Sequence, residues 1–243
     1  MRACVVSDIH ANLHALEAVL EAIDGEGADE LWCLGDLVGY GPRPNECTRI
    51  VAERADLCLV GNHDLGVLGR LDLELFTADA VESARWTAGQ LDDESRSFLE
   101  SLRPDAVRAG VALFHGSARD AVWEYVMTED VAAESLVSSP EPLTLVGHSH
   151  LALEFSLLGP LVAGNLAVDG TELDLDATDR RLLNPGSVGQ PRDGDPRAAY
   201  LVLDLDARRA SFRRVSYAVE RTQAEIREQG LPESLAARLE HGL

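Results

Sequence analysis

Lysine is absent from this 243-residue chain, and all 21 of its basic side chains are arginine. That absence excludes a Walker A phosphate loop, a Schiff-base enzyme and a pyridoxal-phosphate enzyme, each of which needs a lysine amine at its centre. Positive charge is scarce overall: 42 acidic side chains face those 21, for a formal net charge of −21. Proteins that coat DNA or RNA need a basic face to displace counterions, so polymeric nucleic acid is disfavoured as a partner, while a local cationic site is not. Cysteines are few (Cys4, Cys33, Cys47 and Cys58) and form no C-x-x-C pair. Two lie in apolar strand-like runs, where a free thiol behaves as a small hydrophobe, so all four read as reduced and structural. Long apolar runs are also lacking. Ala3 to Val6 and Leu57 to Val60 are typical, far short of the roughly 20 residues that span a bilayer. The N-terminus carries no basic segment leading into an apolar signal. No membrane association and a cytoplasmic location are therefore expected.

What is present is an ordinary globular composition, 46% hydrophobic and 26% charged, in a chain long enough to bury a substantial core. The first 65 residues repeat an apolar strand, a polar loop and an amphipathic segment, as parallel β/α units do. Arg2 to Ser7 reads as a strand; Leu13, Leu16, Val19, Leu20 and Ile23 then recur at helical spacing behind Asn12, a plausible N-cap. Leu31 to Leu34 and Leu57 to Val60 read as the next strands, with a helix over Pro44 to Glu53 between them. A long acidic helical stretch is expected over Ala78 to Leu102. Short buried strands follow at Val111 to Phe114 and Leu143 to Val146, separated by a helix over Glu129 to Val137. Beyond His150 the texture alternates, with strands over Leu151 to Leu158, Leu161 to Val168, Tyr200 to Leu205 and Ala210 to Tyr217 that suit an antiparallel sheet. The C-terminal Val219 to Leu239 reads as a helix broken at Gly230 and Pro232. With no repeat or linker, 1–243 reads as one domain carrying a helical insertion at about 66–103. Two packed sheets flanked by helices are the expected layout.

The chemistry lies where His and Asp fall relative to those strands. Asp8 and His10 follow the first strand two residues apart, so an extended backbone would point both side chains one way. Asp36 follows the second inside Gly35-Asp36. Asn62 and His63 follow the third inside Gly61-Asn62-His63-Asp64. His115 follows the next, and Gly147-His148-Ser149-His150 repeats the two-residue spacing with two imidazoles. In an α/β sheet the carboxyl ends of the strands line one crevice, which gathers these groups into one site. Singly, each residue is explained by a backbone hydrogen bond, a turn or a helix cap; together they have the composition of a metal centre. Asp8, His10, Asp36, Asn62, His115, His148 and His150 are too many for one four-coordinate ion, and two ions sharing a carboxylate fit better. Mixed imidazole, carboxylate and amide ligands suit Mn, Fe, Co, Ni or Zn. With Asp8, Asp36 and a hydroxide counted, the site stays at about +1 and attracts phosphate. His14 and His241 fall outside it.

The ordered series Asp8-x-His10, Gly35-Asp36, Gly61-Asn62-His63-Asp64, His115 and Gly147-His148-x-His150 resembles the calcineurin-like metallophosphoesterase superfamily, with all five blocks in order. The later Asn184 to Arg192 resembles a block of its small bacterial phosphodiesterase-like branch. The resemblance implies a four-layer α/β/β/α sandwich of two mixed sheets. It implies that Asp8, His10 and His150 hold one ion, Asn62, His115 and His148 a second, and that Asp36 bridges them. His63 is similar to the family's non-ligand imidazole that protonates the leaving oxygen, with Asp64 able to orient or charge it. A hydroxide bridging two ions about 3.5 to 4 Å apart would then attack phosphorus in line.

The second block departs from the protein phosphatase branch, whose pattern is Gly-Asp-x-Val-Asp-Arg-Gly. Here it runs Gly35-Asp36-Leu37-Val38-Gly39-Tyr40-Gly41-Pro42, with Tyr40 where the phosphate-clamping Arg would stand. That argues against protein phosphatase activity and against symmetrical cleavage of dinucleoside polyphosphates. Arg43 or Arg192 is the candidate substitute cation, and Asn184 to Arg192 reads equally as a turn system supporting the site wall. A phosphodiesterase acting on a small molecule or nucleotide is the leading expectation. A phosphomonoesterase, nucleotidase or protein phosphatase on the same site is the alternative, and a non-catalytic scaffold is a second.

Overall fold

The computed structural model describes residues 1–243. Successive residues of the first strand, β1 (Arg2–Val6), face opposite ways, as the period of two demands. Cys4 and Val6 join Leu16, Val19, Leu20 and Ile23 of the first helix, α1 (Leu13–Asp24), in one apolar cluster. Ala3 and Val5 join Leu113, Leu145 and Leu183 in another, between two sheets. A third cluster sets Ala112, Val146 and Leu182 against Ala132 and Leu136 of a helix on the far side. Those three apolar layers hold four layers of structure together. Each fully buried Leu or Val contributes roughly 1.5 to 3 kcal/mol.

The elements then run β2 (Glu30–Cys33), α2 (Pro44–Arg54), β3 (Leu57–Cys58), α3 (Asn62–Val67), α4 (Ala78–Gln90), α5 (Asp93–Ser101), β4 (Asp105–Arg108), β5 (Val111–Phe114), α6 (Glu129–Ser138), β6 (Leu143–Leu145), β7 (Ala152–Leu158), β8 (Leu161–Leu166), β9 (Glu172–Asp174), β10 (Arg180–Pro185), β11 (Ala198–Asp204), β12 (Arg209–Val215), α7 (Val219–Glu228) and α8 (Glu233–Ala237). One six-stranded sheet has the order β3-β2-β1-β11-β12-β9 and the other β4-β5-β6-β10-β7-β8. Strands β1, β2 and β3 are mutually parallel, as are β5, β6 and β10; the remaining pairs are antiparallel. The expected α/β/β/α sandwich of two mixed sheets is therefore the observed one. No helix is long and apolar enough to cross a membrane.

Three local expectations are corrected, and one central strand was not expected at all. The strands after His150 do not form one antiparallel sheet: β7 and β8 extend the second sheet, while β11 and β12 complete the first. The strand at β10 lies at the centre of the second sheet yet carried no alternating signal, because it is buried along its whole length from Arg181 to Pro185. The helical stretch Ala78 to Leu102 is two helices. Leu91 turns extended, and the carboxylate of Asp92 caps α5 by accepting from Ser95 N at 2.8 Å. The third strand ends at Cys58, with only an isolated bridge from Leu59 to Arg103 beyond it.

Candidate metal centre

The parallel strands β1, β2 and β3 deliver Asp8, His10, Asp36 and Asn62 from their carboxyl ends; β5 and β6 deliver His115, His148 and His150 from the other sheet. All seven are buried, none exposed by more than 2%. Asp8, His10, Asp36 and His150 form one group, and Asp36, His115 and His148 another, each with its ligand-type atoms within 4.8 Å of one another. Asp36 belongs to both. Asn62 joins the second group through its Oδ1, 3.0 Å from His115 Nε2.

The backbone conformation differs from the expectation at Asp8 and His10. Neither is extended: their φ angles are +55° and +48°, and Asp36, Tyr40, His148 and His150 are also left-handed, between +54° and +65°. Side chains at such positions cost roughly 1 to 3 kcal/mol each and persist only where the surroundings hold them. Here the loops are laced together. Asp8 N and His10 N donate to Gly35 O and Asp36 O, both at 3.0 Å, and Ala11 N to Leu37 O at 2.8 Å. Val188 N and Gly189 N donate to Ser7 O and Asp8 O. Ser187 Oγ donates to the same Asp8 carbonyl at 2.7 Å. Gly61 lets the third loop approach: a Cβ there would lie 2.0 Å from Asp36 Oδ1.

Hydrogen bonds to carbonyl oxygens, which only accept, assign the imidazole tautomers. His10 Nδ1 donates to Val38 O (3.1 Å), His115 Nδ1 to Leu34 O (2.9 Å) and His150 Nδ1 to Gln190 O (2.7 Å), so each presents Nε2 inward. His148 is turned the other way. Its Nε2 donates to Trp123 O (3.2 Å), leaving Nδ1 as its ligand atom. The result is a concentration of lone pairs. His10 Nε2 and His150 Nε2 are 3.0 Å apart, and burial holds both imidazoles well below their ordinary pKa, so neither brings a proton to share. Asp8 Oδ1 and Asp36 Oδ2 are buried with no hydrogen-bond partner. Asp8 Oδ1 faces His150 Nε2 at 3.5 Å; Asp36 Oδ2 faces His115 Nε2 at 3.4 Å and His10 Nε2 at 3.6 Å. Buried acceptors aimed at one another are costly unless a cation joins them. These residues fit divalent ions.

In the metal-free chain protons take up part of that role. Burial pushes the Asp8 carboxyl up to about 7. Burial also opposes the charge of Asp36, but the His115 imidazolium beside it draws it well below the carboxylate range. His115 shows the reciprocal effect: burial works against its charge, and Asp36 still raises it to about 9. Burial lowers His148 to about 3 and His63 to about 4.

His63 is the second residue of α3, behind Asn62, and touches three aromatic rings: His10 at 4.9 Å, Tyr40 at 4.4 Å and Phe76 at 5.2 Å between centroids. Its Nδ1 is buried without a partner. Asp64 is placed differently from the role the resemblance implies. Its two oxygens accept from Val38 N (3.0 Å) and Gly61 N (2.9 Å), so it ties the second and third loops together rather than bonding the His63 ring. Arg43 is likewise committed elsewhere: Glu225 takes it bidentately, with both contacts at 2.9 Å. Arg192 does face the site. Its Cζ lies 5.7 Å from the Tyr40 ring centroid, and Tyr40 packs on His10 at 4.7 Å. Asn184 and Ser187 brace the wall, Asn184 Nδ2 donating to Gly147 O at 2.6 Å. His14 pairs with Glu225, and His241 is at the surface beside Glu240.

Sequence reasoning missed the aromatic side of the site. Tyr125 lies flat on His148, with centroids 3.8 Å apart and planes 16° from parallel, and Trp123 packs on Phe76 and His148. Two aromatics within three residues, in the loop that follows His115 in a chain only 5% aromatic, were the available signal. Arg238 was also missed, and Gln190 was marked only as part of the block Asn184 to Arg192, with no role of its own. Arg238 sits in a C-terminal tail without a motif, and only the folded chain brings it near.

The sequence model of the calcineurin-like phosphoesterase superfamily domain matches residues 1–208. The crystal structure of a metallophosphoesterase from Sphaerobacter thermophilus is 42% identical and superposes with a TM-score of 0.90, over 100% of this chain and 99% of that one. An uncharacterised protein of Methanocaldococcus jannaschii is 37% identical over 240 residues, 97% of this chain and 96% of its own. A symmetrical bis(5'-nucleosyl)-tetraphosphatase of Psychromonas ingrahamii is 39% identical over 71 residues, which is 26% of that protein's length. A match spanning the loops that carry all seven buried ligand-type residues, joined to full-length likeness in fold, decides the matter: the chain belongs to the calcineurin-like phosphoesterase superfamily.

Proposed function

We propose that the chain is a dinuclear metal-dependent phosphodiesterase acting on a small molecule or nucleotide. The observation that carries the reading is the pair of buried, unpartnered carboxylate oxygens, Asp8 Oδ1 and Asp36 Oδ2, each aimed at inward-facing imidazole nitrogens. Asp8, His10, Asp36 and His150 would hold one divalent ion, and Asp36, Asn62, His115 and His148 the other. When bound, two such ions supply Lewis acidity toward the phosphoryl oxygens and an ionised water as nucleophile.

The remaining work falls to the chain's own residues. His63 is the side chain placed to give a proton to the departing oxygen. Burial holds it at about 4, so it arrives neutral and acquires its proton with the negative charge of the substrate beside it. Tyr40 walls the site against His10 and His63. With Arg43 neutralised by Glu225, Arg192 is the guanidinium left facing the substrate. Tyr40 stands where the phosphate-clamping Arg of the monoester-cleaving branch would be, and its neutral hydroxyl favours the singly charged diester at the ions over a doubly charged monoester. The four unlinked thiols, with Cys33 and Cys58 side by side on β2 and β3, support a reducing, cytoplasmic setting.

The test is metal analysis together with hydrolysis of bis-p-nitrophenyl phosphate and p-nitrophenyl phosphate, before chelation and after Mn²⁺ is restored. Two ions and a restored preference for the diester are expected. Two ions with monoester hydrolysis alone would move the reading to a phosphomonoesterase, and a chain that takes up no metal would move it to a scaffold.

A further inference from the structure

Two guanidinium groups meet on one neutral oxygen. Arg192 Nη2 donates to Gln190 Oε1 at 2.9 Å, and Arg238 Nη1 donates to the same atom at 3.2 Å. Like charges brought together in a half-buried place repel, and this chain has acids to spare. Arg49, Arg181, Arg197 and Arg214 each take a carboxylate, whereas no carboxylate comes within ion-pair reach of Arg192 or Arg238. Arg192 Nε is moreover buried with no partner.

The pair is built into the site. Arg192 Nη2 also lies 3.4 Å from the Tyr40 hydroxyl. Gln190 holds both arginines with its side chain while its backbone carbonyl accepts from His150 Nδ1 at 2.7 Å. One residue thus ties a metal ligand to both cations. Arg238 arrives from the far end of the chain, on the turn after α8, and Leu235 and Leu239 to either side of it are buried in an apolar cluster that includes Tyr40. Its position is set by that packing and not by an acidic partner.

We propose that Arg192 and Arg238 form a subsite for a second phosphate group of the substrate, adjacent to the ester that is cleaved. The inference rests on the phosphodiesterase reading above and sharpens it: the preferred substrate carries two phosphates, one at the ions and one at the arginines. Two planar forks converging at one point match the several oxygens of a phosphate better than the two of a carboxylate. The anion would replace the mutual repulsion of the pair with charge-assisted hydrogen bonds and give Arg192 Nε its acceptor.

Two matched substrates test this: the p-nitrophenyl ester of thymidine 5'-phosphate, and the same ester bearing a 3'-phosphate. With Mn²⁺-loaded enzyme, the doubly phosphorylated ester is expected to have the higher kcat/KM by about tenfold to a hundredfold, the worth of one or two charge-assisted hydrogen bonds. Arg238→Gln should bring the ratio close to one, and Arg238→Lys should retain part of it. A ratio is insensitive to a general loss of stability or metal. A wild-type ratio near one, or a preference that survives Arg238→Gln, overturns the subsite. Cleavage of neither ester would count against the phosphodiesterase reading, and the subsite is then read by calorimetry in EDTA, on chain shown to retain its cooperative melt. There pyrophosphate should bind wild type more tightly than inorganic phosphate does, and about tenfold more weakly after Arg238→Gln; equal binding by the two proteins overturns the proposal.

Discussion

A single methyl group at residue 61 should disable the metal centre. The φ of Gly61 is −102°, so alanine there meets no backbone strain, and the effect is purely one of space. Its Cβ would stand 2.0 Å from Asp36 Oδ1, 2.5 Å from Asp36 N and 2.6 Å from Asp36 Cγ. Normal separations are about 3.5 Å, so one loop must retreat by about 1 Å or more. Asp36 cannot yield freely. Its Oδ1 accepts from His63 N at 2.8 Å, while its Oδ2 faces His10 Nε2 of one ligand group and His115 Nε2 of the other. Overpacking costs about 1 to 3 kcal/mol, and a lost charge-assisted hydrogen bond about 1.5 to 3 kcal/mol. For a domain of this size the two together correspond to a fall in Tm of about 6 to 20 °C. A misplacement of about 1 Å should also cost about a hundredfold in turnover. Gly89→Ala is the control: it lies in α4 with nothing within 4 Å of its would-be Cβ, and should stabilise by up to about 1 kcal/mol. The assay is ion content, thermal melts with and without Mn²⁺, and diester hydrolysis. Gly61→Ala protein with two ions, an unchanged melt and wild-type turnover would refute the reasoning.

Four further outcomes are expected. His63→Ala should keep both ions and lose about 10² to 10⁴ in kcat; full turnover with full metal content would remove His63 from the reaction. Metal affinity should rise with pH, because loading the site displaces the protons held at Asp8 (about 7) and His115 (about 9): the gain from pH 6 to 8 is about a thousandfold over both ions, and a flat profile in chelator competition would contradict it. Both pKa values are raised in the folded chain, so the stability they contribute is fully present below the unfolded values of about 3.8 for Asp8 and 6.5 for His115, and is lost as pH climbs through about 7 and then about 9. Melts of the chelated protein should fall over that range. Asp193→Ala should cost about 3 to 5 kcal/mol in denaturant unfolding, because it strands the buried Arg214 guanidinium, whose side chain is only 4% exposed; a loss below about 1 kcal/mol would show that the carbonyls of Asp195 and Arg197 suffice for it.

The ligand-type residues were legible in the sequence because each sits at the end of an apolar strand beside a short turn, a pattern that survives without any knowledge of how the sheets meet. How Asp8 and His10 converge was not legible, since left-handed φ angles at non-glycine residues leave no compositional trace; they are imposed by the lacing of three loops. Strand β10 was invisible for the opposite reason. Central strands buried on both faces lose the alternation by which strands are recognised, and Arg181, which opens its buried run, hides its charge against Glu154. The fates of Asp64 and Arg43 depended on their partners, Gly61, Val38 and Glu225, of which Glu225 is 182 residues from Arg43. Arg238 illustrates the same limit: spacing along the chain says nothing of a side chain brought in by a terminal helix.

The register of β1 against β11 pairs Arg2 with Asp204 and Val5 with Leu201. On a ribosome the first strand made must therefore wait for one of the last. At about 5 to 20 residues per second, β1 stands as an open edge for about 10 to 40 s after it emerges. Throughout that interval the nascent chain holds Asp8, His10, Asp36 and Asn62 without the Val188 and Gly189 amides that clasp the first loop. An unpaired apolar edge is a template for the wrong neighbour. The biosynthetic hazard of this fold thus lies at its beginning, and it is closed only by its end.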